Sequence, residues 1–195
     1  MSGARKRCAY CVDSRSADVD HFHPIKLDYR LAFRWSNLIL ICPECNRSKG
    51  ARFPLDSNGQ PLLVDPTRTD PWCHLVLDID TGIIAPRFNG NSFDQIGEAT
   101  LETIGPINDE ATSERRRRAV ENYIELFESA ATHGDTSELR RSMVKVIKYD
   151  DFGLASWFSK WDGSKLPPLR EVRSLKPDLW RRFCSLACRQ TTNSL

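Results

Sequence analysis

No run of this chain approaches the roughly 18 consecutive apolar residues that a membrane-crossing helix needs, so a spanning segment is excluded. The opening stretch, MSGARKRCAYC, has basic residues but no apolar centre, and a secretory leader is not expected. There is no internal repeat and no low-complexity tract. The seven cysteines form an odd set, which argues against a disulfide framework. What is present suits a folded, cytoplasmic protein. The 195 residues are 40% apolar with nine Phe and five Trp, enough for a real core in one domain or in a small domain with an extension.

The net charge of +2 hides a segregation. Residues 1–52 hold ten Lys/Arg against five Asp/Glu, residues 53–113 two against ten, and residues 114–195 sixteen against eleven. A basic head suits a polyanion such as nucleic acid, which the acidic middle would repel.

Hydrophobic patterning divides the chain in the same places. Leu38 to Ile41 is a β-rich apolar run leading into Cys42, and residues 46–52 read as a short helix stopped by Pro54. Asn58-Gly59 marks a turn before Leu62-Leu63-Val64, and residues 75–79 and 83–85 read as a hairpin around Asp80-Thr81-Gly82. From residue 114 the period becomes helical, with Ala119, Val120, Tyr123, Ile124, Phe127 and Ala130 on one face up to about residue 131. Further helices are expected at 136–149, 150–161 and about 177–190, with Trp157, Phe158 and Trp161 as anchors and Pro167-Pro168 as a break. The expected class is α+β, with a motif-bearing head at 1–53, a β-rich extension at 54–112 and a helical region at 113–195.

The chemistry is concentrated in the head. Cys8, Cys11, Cys42 and Cys45 follow C-x2-C-x30-C-x2-C, in which each pair of thiols can reach one tetrahedral ion from a tight turn. Four thiolates make a closed, structural zinc site, whose long central loop has room for a second function. That loop carries Asp20-His21-Phe22-His23-Pro24 and Asn37, and Asn46-Arg47-Ser48-Lys49-Gly50 follows the last cysteine. A histidine titrates near neutrality and can activate water. A carboxylate and an amide oxygen are hard ligands suited to Mg²⁺ or Mn²⁺. His23 fits either an accessory ligand or the variable position before Pro24. Arg47, Lys49 and Arg52, and more weakly Lys26 and Arg30, fit phosphate contacts or a solvated face. The ERRRR run at 114–118 reads as a solvated helix face or an interaction patch, and Cys184 and Cys188 as buried thiols.

This order of residues resembles the HNH family of ββα-metal endonucleases in its zinc-stapled form. The resemblance implies a β-hairpin and helix clamping a divalent ion. It makes Asp20 and Asn46 the ligands of a catalytic Mg²⁺ or Mn²⁺, His21 the general base and Asn37 the brace of the histidine loop, with phosphodiester hydrolysis of DNA as the activity. Beyond the head, KGARFPL, LLVDPTRTDPWCHLVLD and TIGPIND followed by RRRR are similar to HNH proteins of Septu-type and retron-associated defence systems, which work with an ABC/SMC-like ATPase. Where those relatives tend to have L-N-R, this chain has Ile107-Asn108-Asp109. A zinc-dependent nucleic-acid-binding module or regulatory subunit without catalysis is the alternative.

Overall fold

A computed structural model describes residues 7–12 and 16–194, with side chains as far as residue 188. The chain separates into two compact units, one ending at Glu114 and one spanning Arg115–Ser194. No helix among the described residues is long and apolar enough to cross a membrane.

The first unit is built on a two-stranded antiparallel ribbon. Strand β1 (Asp18–His21) pairs with β2 (Leu38–Ile41), with Asp20 opposite Ile39 and His21 opposite Leu38. Ile39 and Ile41 are buried, as the period of two along a strand requires of one face. Helix α1 (Pro43–Lys49) follows directly. It starts three residues earlier than the sequence suggests, because Pro43 occupies the first turn and the Cys42 sulfur caps it, accepting from Cys45 N at 3.4 Å. It ends at Gly50, whose φ of 52° suits glycine, rather than at Pro54.

Beyond α1, Leu62-Leu63-Val64 does not become a strand. Leu63 and Val64 are buried, but Val64 N donates to Thr100 Oγ1 at 2.9 Å, a partner far off in sequence. The hairpin is present as β3 (Leu75–Leu77) and β4 (Ile84–Pro86), with Leu75 opposite Pro86. Helix α2 (Gln95–Thr103), which the pattern does not announce, is capped by Asp94, whose Oδ1 accepts from Gly97 N at 2.8 Å. Asp94 also receives the His74 ring at 3.0 Å, giving His74 the partner that the sequence leaves unassigned. Asn108, at the departure from the relatives' pattern, clasps β4 by donating to Ile84 O at 2.7 Å and accepting from Ile84 N at 2.9 Å. Helix α3 (Glu110–His133) begins before the residue-114 start that the period marks.

The second unit is an aromatic-cored helical bundle. Within it α3 is followed by α4 (Ser137–Lys148), α5 (Leu154–Lys160), α6 (Pro167–Leu175) and α7 (Pro177–Ser194). Pro167-Pro168 opens α6 instead of merely breaking the chain, since proline in the first turn forfeits no helical hydrogen bond. Tyr123 stacks on Phe158 at 4.7 Å, and Phe127 meets Phe183 edge-on at 4.9 Å. Gly163 lies so close to the Trp157 ring that a Cβ would fall 2.4 Å from it, so only glycine fits there. Lys176 donates to Ala130 O and Ala131 O at 2.6 and 2.7 Å, satisfying carbonyls at the end of α3. Arg116 of the ERRRR run is buried over the Phe152 ring, so that residue belongs to neither a solvated face nor an exposed patch. Of the two late thiols read as buried, Cys184 is half-buried and Cys188 exposed.

Candidate metal and nuclease site

The four knuckle cysteines converge. Cys8, Cys11, Cys42 and Cys45 are buried, and their sulfurs all lie within 4.8 Å of one another. Ala9 N donates to Leu40 O at 2.9 Å, fastening the first knuckle to β2, and the second knuckle forms the start of α1. Hydrogen bonds from Cys11 and Cys45 draw the Cys8 thiol well below its ordinary range, while those with Cys11 and Cys8 push Cys45 up. Such a crowded set cannot ionise fully by itself. A dication relieves that conflict, and four soft sulfur donors in a dry pocket fit tetrahedral zinc. This is the one cluster of three or more His, Cys, Asp or Glu donors among the described residues.

A second constellation lies along β1 and α1. Alternation places Asp18 and Asp20 on one face of β1, towards α1. Asn46 donates to Asp18 Oδ2 at 3.0 Å, which spends its amide nitrogen and leaves its carbonyl oxygen uncommitted. Lys49 is fully buried, and its ammonium bonds Asp20 Oδ2 at 2.8 Å and His21 O at 2.7 Å. It therefore faces inward, whereas Arg47 of the same turn is exposed. Among the described residues none is hydrogen-bonded to Asp20 Oδ1 or Asn46 Oδ1, so each offers one hard oxygen.

His21 closes β1 with its ring committed at one end only. Its Nε2 lies 2.9 Å from Ala32 O. A carbonyl can only accept, so Nε2 carries the hydrogen and the Nδ1 lone pair is left free. Asn37, buried at the far end of the loop, holds the chain that follows His21. Its Oδ1 accepts from His23 N at 2.7 Å, and its Nδ2 donates to His23 O at 3.0 Å and Leu31 O at 3.3 Å. Phe22 N to Asn37 O at 2.8 Å ties the two ends of the loop.

The strand ends at His21, so His23 does not extend its face. The His23 ring packs against Phe53 at 4.6 Å, with its Nδ1 buried and without a partner. Arg52 is exposed, but its guanidinium is committed, donating to Ser48 O and, at 2.7 Å, to Thr103 O. Arg30 pairs with Asp28 at 2.8 Å, and Lys26 is exposed. Two participants escape the sequence reading. Asp18 was detectable from the Asp-x-Asp alternation, but Ala32 O, a backbone atom eleven residues from His21, had no signal at all.

Comparison with known proteins finds two curated relatives and one family model. The chain is 26% identical over 180 residues to the Septu protein PtuB of Bacillus mycoides (strain KBAB4), covering 72% of this chain and 59% of that protein. It is 24% identical over 178 residues to the Septu protein PtuB of Bacillus thuringiensis, covering 76% and 67%. The chain thus spans about three fifths of the length of the first of these curated relatives and about two thirds of the second. No solved structure gives a significant match. Residues 8–52, from the first knuckle cysteine to just beyond α1, match the model of the HNH endonuclease family, and the chain carries an HNH domain there.

Proposed function

We propose that this chain is a metal-dependent endonuclease that hydrolyses phosphodiester bonds of DNA, with His21 as general base. The observation that carries this reading is the single-ended commitment of the His21 ring. Ala32 O fixes the tautomer, and Nδ1 stays available to take a proton. Water deprotonated at Nδ1 attacks phosphorus, forming a new P–O bond as the bond to the 3′ oxygen breaks. The products are a 5′-phosphate and a 3′-hydroxyl. Asp20 and Asn46, with Asp18 beside them, would hold Mg²⁺ or Mn²⁺. When bound, such an ion neutralises charge on the phosphoryl group and the departing oxygen. Asn37 is a positioning residue, because it grips the backbone of the segment after His21 rather than the reacting atoms. Zinc on Cys8, Cys11, Cys42 and Cys45 gives the ribbon and helix their common frame.

The similarity to Septu proteins supports a role in a defence system; an anti-phage effector acting in the cytoplasm with an ABC/SMC-like ATPase partner is the finer reading we propose. Plasmid nicking with Mg²⁺ or Mn²⁺, with and without a co-expressed partner, tests the whole reading. His21→Ala is expected to lower the rate by about 10²- to 10⁴-fold with zinc content unchanged. Equal cleavage by both proteins removes His21 from the mechanism. Inactivity of both under every condition, with DNA binding intact, makes the domain a zinc-dependent binding module.

A further inference from the structure

The loop joining β1 to β2 turns outward the side chains that a small domain ordinarily buries first. Tyr29 is 80% exposed, Phe33 99% and Trp35 70%. Burying such a ring stabilises a fold, and this one forgoes that gain three times within seven residues. The loop is nevertheless tightly built. Tyr29 and Trp35 each open a short 3-10 turn, Asn37 clasps the chain at His23 and Leu31, and the His21 ring holds Ala32, the neighbour of Phe33. These aromatics are therefore displayed on a fixed support.

Cations interleave with the rings. Lys26, Arg30 and Arg34 are exposed, and the one acid between residues 22 and 37 is Asp28. Asp28 is already answered by the Arg30 guanidinium at 2.8 and 2.9 Å and caps the Tyr29–Leu31 turn. The surface is thus aromatic and basic, complementary to a strand with ring faces and negative phosphates. Its position narrows the occupant further. Phe33 directly follows Ala32, whose carbonyl accepts from the candidate base, so a strand lying on Phe33 would run close to His21. A protein bound there would cover the site, whereas a nucleic-acid strand would bring a phosphate towards it. A closed duplex keeps its base faces stacked inside, and only an unpaired strand can offer them.

Resting on the nuclease reading above, we propose that Phe33 and Trp35, flanked by Tyr29, form a stacking platform for unpaired DNA bases. Lys26, Arg30 and Arg34 engage the adjoining phosphates. Single-stranded or locally melted DNA is then the preferred substrate of the Asp20–His21–Asn46 cleft. The aromatic residues contribute sequence-tolerant affinity, and the cations contribute its salt dependence.

The test uses the full chain with its zinc and no added Mg²⁺ or Mn²⁺, so that binding is read apart from cleavage. Fluorescence anisotropy compares a short labelled DNA strand, its duplex and the RNA strand of the same sequence at one salt concentration. The DNA strand is expected to bind about tenfold or more tightly than the duplex. The double substitution Phe33→Ala/Trp35→Ala should weaken it by roughly 10- to 100-fold while changing duplex binding by less than about twofold. Both residues are exposed, and unchanged zinc content and circular dichroism confirm that the variant is folded. Duplex binding equal to or tighter than strand binding overturns the platform, as does strand binding indifferent to the double substitution. Tighter binding of RNA than of DNA overturns the assignment of DNA. Loss of a protein complex by the variant, with DNA binding unaltered, overturns it in favour of a docking surface. Strand binding that depends on both aromatics in a protein that never cleaves leaves the platform standing and removes the nuclease reading. Duplex cleavage indifferent to Phe33 and Trp35 does the reverse.

Discussion

Up to Glu114 the described residues form four strands of three or four residues, a seven-residue helix and a nine-residue helix, and much of the rest is loop. From Arg115 onward almost everything is helix, and Tyr123, Phe127, Trp157, Phe158 and Phe183 are buried together by direct ring contacts. A short ribbon cannot bury enough apolar surface to hold its own loops, so the first unit relies on specific bonds: four thiols, an inward lysine and an asparagine clasp. The second unit relies on area and close packing. The contrast suits a unit that must keep polar groups facing outward in a fixed geometry. An apolar core can stabilise a fold, but it cannot by itself display a carboxylate and an imidazole to solvent.

The sharpest way to break this comparison is to remove the cage. Cys45→Ser, or a zinc chelator, is expected to unfold the first unit and to reduce bound zinc to near zero. The apparent loss is on the order of 10 kcal/mol or more, because structural zinc binding is folding energy in modules of this kind. Zinc stoichiometry and thermal melting check it. A first unit that keeps its melting transition without zinc would mean that apolar burial suffices after all. The counterpart in the second unit is Phe127→Ala, at a fully buried position in contact with Phe183 and Phe158. A loss of about 3–5 kcal/mol is expected in denaturant unfolding of that unit, with zinc content unaltered.

The smallest expected effect concerns Asp150, an acid whose desolvation in the second unit is costly. Asp150 is half-buried beside Tyr123, and desolvation of its carboxyl raises it to about 6 despite donation from Leu154 N and Ala155 N. The unfolded chain releases this proton near 3.8, so the folded form holds it more tightly. Stability of the second unit should therefore fall as pH rises from about 4 to about 6 and remain lower above that. The total is at most about 3 kcal/mol. Asp150→Asn should flatten the profile over that window, as read from unfolding midpoints across pH. An unaltered slope would place the titrating group elsewhere.

The two regions also differ in how they could be read in advance. Helical periodicity from Ala119 to Ala130 announced a buried face, since a 3.6-residue repeat survives in sequence whatever packs against it. The cysteine spacing was equally legible, because metal ligation tolerates few residue types. Helix α6 was hidden by Pro167-Pro168, which the pattern presents as a break although proline also starts helices. Strand-like Leu62-Leu63-Val64 was misleading because Thr100, not a neighbouring strand, takes its backbone donor.

Sequence alone therefore determined the chemistry available: four soft ligands for one ion, hard ligands and an imidazole for another task, and a helical region with its own apolar stripe. Tertiary structure decided how those groups are committed. It turned Lys49 inward onto Asp20, paired Asn46 with Asp18, set His21 on Ala32 O, and left Phe33 and Trp35 facing outward. The physical reason is that spacing encodes which atoms can act. Which atoms remain free depends on hydrogen bonds between residues eleven to twenty-nine positions apart, and only the folded chain brings these together.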